Sequence, residues 1–576
     1  MKSRLNIFHP VGVCAALILT GIAVYANHLN NPFQFDSIRY IPNHPLLQNA
    51  EQYFTWEMLE REYKHRWLLM ATLAGNVLLD GFRPFGFHLV NLTIHIFNSL
   101  LVFCVAVTWS RKFYPDDATP PQAIGLFTAL LFLAHPMQTE SVIYVISRGG
   151  ALATSFYLLG FLCFQHLLKA EAKTASRIFA ALGIVACMIL GFSAKQTLIT
   201  LPALLFFYYL FCGDSRQRVL NWMRRRLPIL IGAGLVISGA LLWKLLTDEA
   251  FLIGPSKAGE SIGRLNFMFT QPGVLVGYYL RLLFLPFNLN VDPDIPLVTS
   301  ALSFSLWGAL ATLALLFALA VKAARRGATV YLFCLGWFLL VISPSSSIIT
   351  LEDLAAERRV YLASLGLFFP CAALLLRGLY SYPRLRLLVP ILIVACLCAT
   401  TMKRNAVWSS ESRLWNDTLK KSPNKIRPLV NLARAYTTEG DPKQAVALYE
   451  RSLRLNPNIF HSHYNLGNLY WAEGKTELAL HHLLQARQLE PSIPETHGRL
   501  GELYLALKRF EDADRSLRKA VELFPQYAVA LRNLGLLYYF EWKRLEEGRA
   551  FFQLSLFLDP NQPDADSLRQ IINAPR

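Results

Sequence analysis

A succession of apolar runs, each separated from the next by a short polar or basic stretch, constrains this 576-residue chain more than any other feature. Crossing the ~30 Å hydrocarbon core takes about 20 apolar residues as a helix, and lipid offers the backbone no hydrogen-bond partners. Such runs therefore predict helices. The first, VGVCAALILTGIAVYANHL, follows a short basic start containing Lys2 and Arg4. Val24-Tyr25-Ala26 has the form of a signal-cleavage site, but the many later spans favour a retained anchor. Either outcome leaves the next residues outside. Further spans are expected at about 88–109, 122–135, 149–168, 176–192, 196–212, 227–247, 304–321, 328–343, 360–376 and 385–402, giving about 11 spans.

Charge fixes the orientation of these spans. The net charge of +17 suggests a nucleic-acid binder until it is mapped. Lys and Arg gather between spans, at Arg111/Lys112, Arg216 to Arg226, Lys322 to Arg326 and Arg377 to Arg386. That is the pattern of cytoplasmic loops, and no nucleic-acid motif accompanies it. Alternation puts the N-terminus in the cytoplasm and everything after residue 402 outside. It breaks at Gln271–Leu289, where a full crossing would leave Lys322 to Arg326 outside. That segment, with Arg281 and Pro286 inside it, reads as re-entrant or interfacial. Pro45–Trp67 reads as an amphipathic helix, either along the interface or a solvated loop helix, with Leu47, Phe54, Met58 and Leu59 set against Glu51, Glu57, Glu60, Arg61 and Glu62. The nine cysteines all lie in or beside apolar runs, as buried small hydrophobes do, so a disulfide framework or a thiolate metal site is not expected.

The tail is a different material. Asn431-Leu432-Ala433, Asn465-Leu466-Gly467, Arg499-Leu500-Gly501 and Asn533-Leu534-Gly535 recur with a period of 34 residues, each followed by a tyrosine at 436, 470, 504 or 538. Small residues follow at Ala445, Ala479, Ala513 and, after one extra residue, near Gly548; prolines at 457, 491, 525 and 560 close the units. This is the tetratricopeptide pattern of stacked helix pairs, whose concave face suits an extended peptide. The tail from 403 carries 25 Lys and Arg against 20 Asp and Glu, too even to call for an acidic partner. The expected organisation is all-α: a membrane bundle over 1–402 with a first outer loop at 30–87, a linker helix at 403–422, and a helical solenoid over 423–576.

Polar residues at the outer mouths of the spans are the candidate chemistry, because ionisable groups near a membrane boundary are costly unless paired or used. Asn30 to Pro45 carries one carboxylate, Asp36, among aromatic and turn-forming residues. Arg83-Pro84 opens a span. His135 to Arg148 holds Glu140 and ends in Ser147-Arg148-Gly149-Gly150; a Glu140–Arg148 pair stapling two helix ends is the plainer reading. Lys195 sits in a short gap between spans, where it either snorkels or meets a lipid phosphate. Glu357-Arg358-Arg359 follows a Ser/Pro loop, and guanidinium groups match phosphate oxygens. His88, Asn91 and His95 share a helix face and read as a polar seam. No HExxH, Walker A or CxxC pattern occurs, which leaves protease, ATPase and redox roles without support.

HLVNLTIHIFNSLLVF after RPF, then HPMQTESVIYVISRGGALATSFYLLG, AERRVYLASLG and the repeats resemble, in that order and over nearly the whole chain, the transmembrane-and-tetratricopeptide O-mannosyltransferase family. Its bacterial relatives are included, within the GT-C glycosyltransferase superfamily. The resemblance implies a polyprenyl-phosphate-linked sugar donor, an exported protein or peptide acceptor approaching from outside, and a carboxylate near the reaction centre. On the residues themselves, Asp36 is the expected catalytic base, with Arg358 first and then Lys195, Arg148, Glu140, Glu357, Arg83 and His135 for donor phosphate and sugar. This chain has a single acid in Phe35-Asp36-Ser37 where the family shows two, and Lys195-Gln196 where the family has Lys-Glu. The metal is left unknown, with a divalent cation open. Sparse cysteine use and a compact tail suggest a bacterial inner membrane. The rival reading is a non-catalytic, membrane-anchored periplasmic repeat scaffold; polar residues at span mouths favour the enzyme.

Overall fold

The apolar runs are helices. A computed structural model describes residues 10–54, 66–169, 171–212, 262–346 and 350–573, and among them there is no β-strand. The expected span at 227–247 lies outside the described residues. The first helices are α1 (Pro10–Tyr25), the short α2 (Asp36–Tyr40), α3 (Trp67–Asp80), α4 (Pro84–Phe113) and α5 (Pro121–Ala134). Then come α6 (Thr139–Ile143), α7 (Arg148–Leu167), α8 (Thr174–Ala194) and α9 (Leu201–Cys212). After α10 (Arg264–Gly273) follow α11 (Phe304–Arg325), α12 (Val330–Ile342), α13 (Leu365–Gly378), α14 (Pro383–Val407) and α15 (Glu411–Lys421). Among the described residues six helical stretches are long and apolar enough to cross a membrane, and the chain is a multi-pass membrane protein.

Local sequence explains where these helices begin and end. α4, α5 and α14 each open on a proline, which needs no backbone donor in the first turn and has its φ already set. Arg111 and Lys112 close α4 against the negative end of its dipole. The stretch expected as one amphipathic helix, Pro45–Trp67, is not continuous. A single turn at Pro45–Gln48 is followed by a 3₁₀ segment at Ala50–Phe54, and 55–65 lie outside the described residues. Trp67 instead opens α3, an apolar helix that buries Leu69, Leu73 and Ala74 against the bundle. Around Gln271–Leu289, α10 continues through a π-helical segment, Val274–Leu280, into one further turn at Arg281–Phe284.

Packing inside the bundle rests on aromatic edges and small residues, as expected where lipid supplies no hydrophobic drive between helices. The Trp109 ring meets Phe161, Phe333, Trp337 and Phe369 edge-on, with centroids 5.0 to 6.0 Å apart. Gly366 lets α13 approach α12: a Cβ there would lie 2.5 Å from the Cys334 carbonyl oxygen. The polar face of α4 is a seam. Asn91 donates to the Val142 carbonyl at 3.0 Å, His95 Nδ1 meets the Tyr361 hydroxyl at 2.7 Å, and Asn98 donates to the Ala151 carbonyl at 2.9 Å.

The chain divides into two compact units, Met1–Asp417 and Thr418–Arg576. The second is a stack of helix pairs: α16 (Ile426–Glu439) with α17 (Pro442–Leu455), α18 (Phe460–Ala472) with α19 (Thr476–Leu489), and α20 (Pro494–Ala506) with α21 (Phe510–Leu523). α22 (Ala528–Leu536) pairs with α23 (Leu545–Leu558), and α24 (Ala565–Asn573) ends the stack. The extra residue of the fourth unit is absorbed by a π-helical turn, Leu537–Glu541. In the first three units the turn closes from Asp441, Lys475 and Arg509 back five residues to the tyrosine carbonyl; in the fourth, Arg544 reaches back six, to Tyr538.

Candidate functional site

Asp36 opens α2 at the mouth of the bundle, and its backbone approach is strained. Phe35 has φ 54°, a left-handed conformation that a bulky residue adopts only when its surroundings hold it there. What holds it is aromatic: the Phe35 ring lies 5.7 Å from Tyr144, 5.9 Å from Trp408 and 4.7 Å from Trp415. The Tyr144 hydroxyl donates to Asp36 Oδ2 at 3.0 Å.

Lys195 arrives from the other side. It separates α8 from the 3₁₀ turn Gln196–Thr200 and is half-buried. Gly149 and Gly150, in the first turn of α7, make room for it. A Cβ on Gly150 would lie 3.3 Å from Lys195 Nζ, and one on Gly149 would lie 3.0 Å from the Ala194 carbonyl oxygen. Among the described residues Lys195 forms no ion pair. Burial and the guanidinium groups of Arg358, Arg66 and Arg359 pull its ammonium down to about 8. A cation crowded by cations is the electrostatic setting of an anion site.

Arg358 follows the Ser/Pro loop at the start of a 3₁₀ turn, Glu357–Val360. Its guanidinium pairs with Glu140 and, at 3.5 Å, with Asp353, while its backbone N–H donates to Glu140 Oε2 at 2.9 Å. Burial opposes the charge, but the two carboxylates hold it above its ordinary value. The same guanidinium sits 5.7 Å from the centre of the Tyr144 ring.

These groups line one cavity of about 440 Å³, whose wall includes Asp36, Arg66, Tyr144, Gly149, Gly150, Lys195, Glu352, Asp353, Arg358 and Arg359. Glu140 supports it from behind. The other residues singled out from sequence lie apart from its lining. Arg148 is fully buried and satisfies neutral acceptors: Asn91 Oδ1 at 2.7 Å and the carbonyls of Thr72 and Phe87 at 3.0 Å. Glu357 is buried against Arg404 at 3.5 Å, and Arg404 also holds Asp417 at 3.0 Å. His135 accepts from the Met137 N–H, and its Nε2 lies 3.2 Å from the Leu283 carbonyl oxygen. Arg83 is exposed, 3.7 Å from Asp80. Among the described residues no three His, Cys, Asp or Glu side chains converge as metal ligands.

The repeat unit matches profiles described as "TPR repeat" over residues 433–474 and as "Tetratricopeptide repeat" over 460–493 and 499–563. Curated relatives extend the likeness into the membrane unit. "Protein O-mannosyl-transferase Tmtc3" of Drosophila melanogaster is 24% identical over 78% of this chain and 55% of its own length. The human "Protein O-mannosyl-transferase TMTC4" is 27% identical over 76% of this chain and 65% of its own. Mouse "Protein O-mannosyl-transferase TMTC1" is 28% identical over 37% of this chain and 23% of its own. The chain is similar to the O-mannosyltransferases that join transmembrane helices to tetratricopeptide repeats. It spans from about a quarter to two thirds of the length of these three relatives.

Sequence reasoning passed over Tyr144, Arg66, Asp353 and the glycine pair as parts of this wall. One local signal was available for the first. Tyr144 lies four residues after Glu140, which puts both on one face of a helical turn. Nothing local marks Arg66, which lines the cavity from the start of α3.

Proposed function

We propose that the chain is a membrane glycosyltransferase that moves a sugar from a polyprenyl-phosphate donor to hydroxyl groups of exported protein acceptors. The observation that carries this reading is the single cavity shared by a carboxylate, Asp36, and an ammonium, Lys195, that forms no ion pair among the described residues. Asp36 accepts the proton of the acceptor hydroxyl as its oxygen attacks the anomeric carbon with inversion. The sugar–phosphate C–O bond breaks, its electron pair leaves with polyprenyl phosphate, and the charge growing there is met by Lys195 and Arg66. The α7 amides at Gly149 and Gly150 add to this, as helix N-termini do for phosphates. Arg358, already neutralised by Glu140 and Asp353, contributes the smaller share. The repeat unit recruits the acceptor polypeptide and raises its local concentration. We further assign the chain to a bacterial cytoplasmic membrane, with a cytoplasmic N-terminus and extracytoplasmic repeats. Labelling of an introduced cysteine near residue 295 from the cytoplasm alone would overturn that orientation.

The test is transfer from a polyprenyl-phosphate sugar to a Ser/Thr peptide by purified protein. Asp36→Asn should nearly abolish it while folding and insertion persist. Activity close to wild type would remove Asp36 from the chemistry and favour a scaffold.

A further inference from the structure

We infer that Tyr144 is a positioning residue for the base, fixing which oxygen of Asp36 meets the acceptor and coupling that carboxylate to Arg358 on the donor side. The inference rests on the transferase reading above. Tyr144 follows α6, whose last turn is closed by its own N–H donating to the Glu140 carbonyl at 3.2 Å. Its ring is buried, and its three neighbours have different chemistry. Phe35 and Trp408 pack on it at 5.7 and 6.4 Å, and Arg358 sits over it at 5.7 Å. The hydroxyl goes to Asp36 Oδ2.

Each contact removes a freedom from the base. The aromatic contacts hold Phe35 in its strained conformation, which sets the Asp36 backbone. The phenol hydrogen bond then sets the carboxylate's rotation. Oδ2 is occupied, and among the described residues Oδ1 has no partner, so Oδ1 is the oxygen available to a hydroxyl in the cavity. Burial and the Asp36 charge hold the phenol above its ordinary value, so it stays a donor across the working pH range. On the donor side, Glu140 and Tyr144, one helical turn apart, grip the same guanidinium, one by its charge and the other by its ring. Movement of Arg358 toward a bound phosphate is thereby felt at the base.

A donor to a carboxylate stabilises its charged form and fixes the oxygen it bonds. The titratable groups around Asp36 are Tyr144, then Arg358 with Glu140 and Asp353 beyond the ring. Lys195, Arg66, Arg359 and Glu352 line the rest of the wall. Among the described residues only the Tyr144 hydroxyl bonds the Asp36 carboxylate.

The experiment is the pH profile of peptide glycosylation by Tyr144→Phe in the full-length protein. Phenylalanine keeps the packing and the ring face. We expect kcat to fall about tenfold, the magnitude of one hydrogen bond to a charged group. The acceptor KM should stay within about twofold, and the acid limb of kcat/KM should move up by about one pH unit. Incorporating 3,5-difluorotyrosine at position 144, a stronger donor of the same shape, should move that limb the other way; this arm decides if Tyr144→Phe accumulates poorly. An acid limb that stays in place in both arms, with wild-type kcat, would overturn the inference. Asp36→Asn, run alongside, separates the two levels. An inactive Asp36→Asn protein beside an unaltered Tyr144→Phe removes the positioning role alone. A fully active Asp36→Asn protein removes the base itself and this role with it.

Discussion

Charged groups are arranged in opposite ways in the two units. Among the described residues of the repeats most ion pairs are short in sequence and open to water: Lys519–Glu522, Arg518–Asp514 and Arg569–Asp566 join residues three or four apart, while Arg532–Asp564 spans 32 positions. In the membrane unit the pairs beside the cavity are long-range and largely buried: Glu140 meets Arg358 across 218 positions, and Arg404 meets Glu357 across 47, whereas Arg83–Asp80 is local and exposed. Surface pairs of the first kind contribute about 0–1 kcal/mol, whereas breaking a buried pair by removing one partner costs about 3–5 kcal/mol. The repeats can therefore vary their surface freely. In the membrane unit the Glu140–Arg358–Asp353 group holds the wall of the cavity, so its loss should cost more.

The largest test of that division sets Asp36→Asn against deletion of residues 423–576. Loss of the base should lower transfer to every acceptor by about 10²–10⁴-fold. Loss of the repeats should spare a short peptide acceptor and reduce only glycosylation of a full-length partner. Assays of both proteins with both acceptors decide it, and equal losses everywhere would abolish the division.

Next come the pairs themselves. Glu140→Gln should destabilise the membrane unit by about 3 kcal/mol, since it leaves Arg358 with Asp353 alone. Glu522→Gln in the repeats should change stability by less than about 1 kcal/mol. Thermal unfolding in detergent measures both, and similar values would contradict a difference between the two units.

A third effect is set by pH. Lys195, pulled down to about 8, is charged below that pH and neutral above it. Affinity for a polyprenyl-phosphate donor should therefore fall about tenfold between pH 7 and pH 9. Lys195→Gln should bind weakly throughout and lose this dependence. Stability should move the opposite way. A lysine whose folded value lies below its unfolded one opposes folding while charged, and that opposition is relieved as pH rises from about 8 toward 10.5. Weaker binding accompanied by unfolding at high pH would discredit the assignment.

The smallest effect sharpens the repeat side. Ala445, Ala479 and Ala513 occupy the small-residue position of three units, and the fourth has Gly548. A Cβ there would meet the backbone nitrogen of Tyr539, a residue of the π-turn, at 2.8 Å. Gly548→Ala alone should cost about 1–2 kcal/mol. In a protein lacking Phe540, which returns the unit to 34 residues, the same substitution should be tolerated. Additive unfolding energies across the four proteins would separate the glycine from the π-turn.

Much of the architecture was legible because it is local. An apolar run buries its backbone as a helix wherever it falls, so the described spans could be read from composition alone. A 34-residue period repeats the same burial pattern in each unit, which makes the solenoid visible without a structure. The fate of Pro45–Trp67 was not legible. Its alternating charges fit a helix face, but Pro45–Gln48 and Ala50–Phe54 form separate turns, and the helical stretch begins only at Trp67.

The sequence by itself determined that this is a helical membrane protein with a repeat tail, and which loops carry ionisable groups. Only the tertiary structure decided how those groups are shared. Arg148 looked available for Glu140, yet it is consumed by carbonyls of Thr72 and Phe87. Glu140 instead takes Arg358, Glu357 takes Arg404, and Lys195 faces the cavity without an ion-pair partner among the described residues. The reason is physical. A buried charge must be paired or hydrogen-bonded, but several partners of the right type exist along the chain. Which one satisfies it depends on helix ends that meet only after the bundle packs.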